Sequence, residues 1–155
     1  MSLESILAFA GFLIICLGVG GVAGYATLPE IAGWHSTLNK PNFNPPNWIF
    51  GPIWTLLYIL MAISAWLMWQ RGGLMQPALG FFAVQLIFNF AWSFIFFRAH
   101  LIGWALVDIC LLWLAIVATI FSFVQVSAIA AWLLIPYLAW VSFATLLNAS
   151  IWRLN

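Results

Sequence analysis

Three stretches of this chain carry polar and aromatic side chains at spacings suited to holding a ligand. Gln85, Asn89 and Ser93 recur at i, i+4 and i+8, with Trp92 beside them. On a helix that spacing places two amides and a hydroxyl on one stripe. Trp54 and Tyr58 stand four apart, while Tyr137, Trp140 and Ala144 share a helical face with Asn148 one turn beyond. Indole and phenol rings give stacking area with one polar edge, and a few amides fix orientation, so the set suits a flat, largely apolar guest. The same Ser, Asn and Gln side chains also act as hydrogen-bonding glue between membrane helices. The residues alone leave both uses open.

Asp108 lies about two turns inside an apolar run. A carboxylate facing lipid is costly, so it must face other helices or carry a proton. It is read as either a gating residue or a structural anchor. Pro136 interrupts another apolar run and is expected to kink it, because its ring removes a helical N–H. His35 and His100 fall in connecting segments and are not four apart on one helix, so they form no zincin-like site. Both are read as surface histidines, and no metal site is expected. Gly18, Gly20, Gly21 and Gly24 are read as close-packing positions. Cys16 and Cys110 are isolated, which makes neither a disulfide framework nor a zinc motif.

The elements that must position these groups follow from composition. The 155 residues are 66% hydrophobic and 5% charged, against roughly a quarter charged in a soluble domain. A net charge of +1 gives no electrostatic footprint for nucleic acid. Five apolar runs, at about 5–27, 48–69, 77–97, 102–124 and 128–152, are long enough to cross a bilayer. They are continuously apolar rather than alternating, which predicts helices and not a barrel. The fold class is therefore all-α: a single domain over 1–155, an integral membrane bundle of five transmembrane helices. The first run is read as a retained helix, since Glu4 stands where a secretion signal would be positive. The one long connection, about 28–47, is the most polar and proline-rich part of the chain.

Five spans put Lys40, Arg98 and Arg153 on one side and Arg71 on the other. The excess of positive charge places the first loop and C-terminus in the cytoplasm and the N-terminus outside. Gly80 and Ala83 offer a small-residue patch for a homodimer contact.

The first loop runs Trp34-His35-Ser36-Thr37-Leu38-Asn39-Lys40-Pro41-Asn42-Phe43-Asn44-Pro45-Pro46-Asn47-Trp48-Ile49-Phe50. It resembles the pattern W-x3-L-x-K-P-x-[WF]-x-P-P-x-W-x-F of the TspO/MBR family (tryptophan-rich sensory and translocator proteins, or peripheral-type benzodiazepine receptors). Gln85 through Ser93, and Pro136-Tyr137-Leu138-Ala139-Trp140 through Asn148 to Trp152-Arg153, resemble two further motifs of that family. Asp108 falls where many members carry an aspartate. The resemblance covers nearly the whole chain.

The resemblance implies a five-helix membrane protein, often a homodimer, that binds porphyrins such as protoporphyrin IX and haem as ligands rather than as an obligatory cofactor. It also implies benzodiazepine-type ligands and, in some members, sterol. The site it implies is capped by the first loop through Trp34 and Pro45 and walled by Trp54, Tyr58, Asn89, Trp92, Ser93, Cys110, Trp140 and Ala144. The expected role is a membrane receptor or sensor tied to tetrapyrrole regulation or transport. Light-dependent protoporphyrin degradation, with Trp54 and Trp140 as the reacting indoles, and translocation of lipophilic molecules are the alternatives. The proposed sterol motif L/V-x(1–5)-Y-x(1–5)-K/R is incomplete here, because no tyrosine precedes Arg153 between Leu146 and Trp152. That departure points to a microbial, porphyrin-side member in a bacterial plasma membrane.

Overall fold

Backbone polar groups inside lipid must be satisfied within their own segment, and this chain meets that demand with helices. A computed structural model describes residues 2–155. Its elements are α1 (Leu3–Ala32), the single turn α2 (Trp34–Thr37), α3 (Asn47–Gly72), α4 (Ala78–Ser93), α5 (Ile102–Val124), α6 (Ala128–Trp132) and α7 (Ile135–Leu154). A π-helical segment, Phe94–Arg98, continues α4. Five helical segments have the length and apolar character of membrane spans, with α6 and α7 together making the fifth.

Most of the expected boundaries lie within a turn of these elements. The first span differs most: it continues to Ala32, through Pro29 and four residues beyond the expected start of the loop. Two contacts hold that extra turn. Glu30 accepts from His100 at 3.0 Å and sits 4.0 Å from Arg98, and Ile31 packs on the cluster containing Phe96 and Phe97. The fifth span is divided rather than bent. Pro136 stands in the first turn of α7, where its missing N–H costs least, and Leu133 and Leu134 join α6 to α7.

Around the bundle α1 packs on α3 and α4, α4 on α5, and α5 on α7, with α6 closing the ring against α3. Ser64 donates to the Ala130 carbonyl at 2.7 Å, and the small Ala130 and Ala131 allow α6 to lie close to α3. The first loop is tied to the C-terminus: the Asn39 N–H donates to Asn155 Oδ1 at 3.0 Å, and Asn155 Nδ2 donates back to the Asn39 carbonyl at 2.9 Å. The opposite end joins α1 to α3, where Trp66 Nε1 donates to the Ser5 carbonyl at 3.1 Å.

The two halves of the bundle are packed differently. At the Ser5 end the interior is solid, filled by Met61, Ala65, Met68, Phe82, Ile116, Phe123 and Leu134. At the first-loop end it is hollow.

Candidate functional site

The floor of the hollow is a chain of hydrogen bonds across three helices. Tyr58 of α3 donates to Asn89 Oδ1 of α4. Asn89 Nδ2 donates to the Tyr137 hydroxyl of α7 at 2.9 Å, and Tyr137 donates to Gln85 Oε1 at 2.8 Å. Gln85 and Asn89 meet there because residues four apart share a helical face. All four residues are buried. In the low dielectric of the bilayer such groups must be paired, and here they pair with one another.

Above this floor lies a cavity of about 530 Å³, within the range of small-molecule sites. Its walls come from every long helix. Trp54 of α3 and Trp140 of α7 supply indole rings, and Phe50 meets Trp140 edge-on at 5.7 Å. Trp92, Ser93, Ala144 and Asn148 complete the α4 and α7 walls. Trp92 Nε1 donates to Asn148 Oδ1 at 3.0 Å, and Asn148 Nδ2 donates to the Ile102 carbonyl at 3.1 Å. Asn148 thereby fixes one indole and ties α7 to the first turn of α5.

Two buried polar atoms at the cavity residues have no partner: Trp140 Nε1 and His35 Nδ1. Asn89 has already committed one donor and one acceptor to tyrosines, whereas the single indole N–H of Trp140 is wholly uncommitted. Buried polar groups without partners are rare in folded proteins, and these two point to a guest that would complete them.

The cavity opens sideways. Leu17, Gly21 and Leu28 of α1 and Trp48, Gly51 and Thr55 of α3 line it and are also exposed. The mouth therefore lies between α1 and α3, on the surface that faces lipid. Of the four glycines expected to mark close packing, only Gly20 does so: a Cβ there would fall 2.5 Å from the Tyr58 ring. Gly18, Gly21 and Gly24 meet nothing within 4 Å. The last two line the cavity.

The structure brings Trp54, Tyr58, Asn89, Trp92, Ser93, Trp140 and Ala144 to one cavity, with Asn148 at its edge. Three residues expected beside them stand elsewhere. Cys110 is exposed on α5; it lies two residues past buried Asp108, a rotation of about 200° around a helix, so it faces outward. Trp34 stacks on His100 at 4.1 Å and packs against Phe96, outside the cavity wall. Pro45 lines a neighbouring polar hollow of about 400 Å³. Asp108 is buried and is not among the residues lining the cavity, and its Oδ2 has no partner.

The histidines divide in a way the sequence does not announce. His100 is exposed, at φ 57°, and bonds to Glu30. His35, expected at the surface, is buried against Phe96 and Phe97 and borders the cavity. Burial, with Lys40 nearby, lowers its imidazole from 6.5 to about 4, so it is neutral at pH 7. The signal available in the sequence was its place between Trp34 and Lys40 in the motif-bearing loop. Among the described residues no three His, Cys, Asp or Glu side chains gather as a metal site.

Comparison with known proteins bears on this arrangement. Residues 12–153 match the model of the TspO/MBR family. The chain is 46% identical to the human (Homo sapiens) Translocator protein over 126 residues, covering 79% of this chain and 75% of the human one. It is 42% identical over 157 residues to the Tryptophan-rich protein TspO of Chlorobaculum tepidum, covering 98% of each. It is 40% identical over 147 residues to the Tryptophan-rich sensory protein of Cereibacter sphaeroides, covering 95% of this chain and 90% of that one.

Proposed function

The chain belongs to the TspO/MBR family, and from that premise we propose that it is a membrane receptor for tetrapyrroles such as protoporphyrin IX and haem, coupling their binding to porphyrin regulation or transport. One observation carries the reading: an aromatic cavity inside the bundle whose Trp140 Nε1 lacks a partner. A planar macrocycle would stack on Trp54 and Trp140, and one of its polar atoms would accept from the free indole N–H. The mouth between α1 and α3 supports entry from the lipid phase, where a porphyrin dissolves. Benzodiazepine-type compounds and sterols are apolar enough to compete for the same space.

Tryptophan-fluorescence quenching in zwitterionic nanodiscs tests the site. Wild-type protein is expected to bind protoporphyrin saturably. Ala144→Trp, which fills the cavity from α7, should abolish saturable binding while leaving the helical spectrum intact. Undiminished binding by Ala144→Trp protein would rule the cavity out.

A second reading is favoured by the pair of indoles, Trp54 and Trp140, on the cavity walls: light-driven oxidation of bound porphyrin, with dioxygen as oxidant. Illumination with product counting tests it. Multiple turnovers per protein that fall to the free-tryptophan rate in Trp54→Phe/Trp140→Phe protein support it, and equal rates reject it. Orientation, with the loop and C-terminus in the cytoplasm, and homodimerisation through Gly80 and Ala83 complete the proposal.

A further inference from the structure

The end of the bundle away from the first loop carries an apolar collar. The turn between α3 and α4 exposes Leu74 at 74% and Met75 at 90%. Phe82 stacks on Phe123 at 6.2 Å, which brings the end of α5, and α6 after it, to the same end. There α6 turns Ala130 and Ala131 inward and leaves Ile129 and Trp132 exposed. Leu3 is exposed in the first turn of α1, held at this end by the bond from Trp66 to Ser5. The charged side chains here are Glu4 and Arg71, whereas Glu30, Lys40, Arg98 and Arg153 belong to the opposite end.

The turn that carries Leu74 and Met75 is fixed. The Gly73 N–H donates to the Trp69 carbonyl at 2.7 Å, the Gln76 N–H to the Gly73 carbonyl at 3.3 Å, and the Leu79 N–H to the Gln76 carbonyl at 3.0 Å. Gly73 stands at φ 66°, a conformation that glycine adopts without penalty. The height of the turn follows from α4. With its π segment that span has 21 residues, about 30 Å at about 1.5 Å per residue, which equals the hydrocarbon thickness of about 30 Å. No length is left over. Ala78, the first residue of α4, therefore lies at the edge of the hydrocarbon, with the turn directly above it.

We infer that this end of the protein docks into the lipid interface: Leu74, Met75, Ile129 and Trp132 insert at the boundary between headgroups and acyl chains in the leaflet on the Arg71 side. Insertion removes their apolar surface from water. An indole such as Trp132 suits that boundary, and Arg71, exposed at the end of α3, reaches the headgroup layer while its stem stays in apolar surroundings. The collar draws on α1, the α3–α4 turn and α6, which are more sides of the bundle than the one patch a two-fold partner would cover. Lipid surrounds all of them. The bundle is thus sunk into one leaflet at its solid end, while the loop end, with most of the charge, projects into water.

Nitroxide labels at Met75→Cys and Trp132→Cys test this, each in a Cys110→Ala background; Cys16 is fully buried and stays unlabelled. Collision with oxygen, which concentrates among acyl chains, is compared with collision with a water-soluble nickel chelate, in zwitterionic nanodiscs. Asn42→Cys, in the exposed part of the first loop, serves as the water reference. The oxygen-to-nickel ratio should exceed unity at 75 and 132 and fall below it at 42. Ratios at 75 and 132 that match the one at 42 would place the collar in water and overturn the inference. Protection of both labels from both reagents would mean a protein contact, a second copy included, and would overturn it equally. The outcome is independent of porphyrin binding.

Discussion

Replacing Asn89 by leucine tests whether the cavity floor is a structural network. Leucine has the same number and branching of heavy atoms as asparagine, so the substitution deletes hydrogen bonds while opening no cavity. It deletes the acceptor for Tyr58 and the donor to Tyr137. Interhelical hydrogen bonds in membranes contribute about 0.6 kcal/mol each, up to about 1.7. Tyr137 keeps its bond to Gln85, but the buried Tyr58 hydroxyl is left with no acceptor, an orphan that costs about 1–3 kcal/mol. The expected loss is about 2–3 kcal/mol by equilibrium unfolding in mixed micelles. Tyr58→Phe in the same background removes the orphan, so the double variant should recover about 1 kcal/mol relative to additivity. A loss under about 0.5 kcal/mol for Asn89→Leu, or strict additivity of the two changes, would refute the network.

Other consequences follow from single contacts. Gly20→Ala drives a methyl into the Tyr58 ring and should cost about 1–3 kcal/mol in the same unfolding assay, whereas Gly21→Ala meets open space and should be nearly neutral; equal effects would contradict the packing of α1 on α3. Lowering pH should loosen the first loop, because unfolded imidazole takes up a proton near 6.5 while docked His35 resists until about 4. Below 6.5 the unfolded state therefore binds more protons, and stability is lost between 6.5 and about 4. Hydrogen exchange at residues 34–46 should show that loss, and His35→Phe should flatten it relative to wild type. Gly80 is exposed, and a Cβ there meets nothing within 4 Å. Under the proposed homodimer contact, Gly80→Leu should lower the dimer fraction in detergent without altering the protomer; an unchanged fraction would reject that contact.

What the sequence discloses and what it hides divide along one physical line. The five spans were legible because lipid demands long apolar runs, and the Gln85–Asn89 stripe because helical period is a local property. Trp54 with Tyr58, and Trp140 with Ala144, could be placed on common faces for the same reason. Properties set by distant partners were hidden. The last turn of α1 depends on Glu30 meeting Arg98 and His100, about seventy residues away in sequence. His35 and His100 look alike in the chain, yet one is enclosed by Phe96 and Phe97 and the other lies on the surface. The family resemblance places Cys110 in the wall, but it stands two residues past buried Asp108, and two residues turn a helix most of the way to its other side. The glycines of α1 suggested contact; three of the four have none, because Gly18 is exposed and Gly21 and Gly24 border the cavity. Only coordinates show that Asn89 is engaged with tyrosines while the Trp140 N–H is free.

The most direct measurement is the position of a bound metalloporphyrin, read from the anomalous scattering of its iron in crystals grown with haem. The iron peak is expected between α3 and α7, flanked by the Trp54 and Trp140 rings. A peak on the outward surface of α4 or α5, with the space between those two indoles unchanged, would contradict the account.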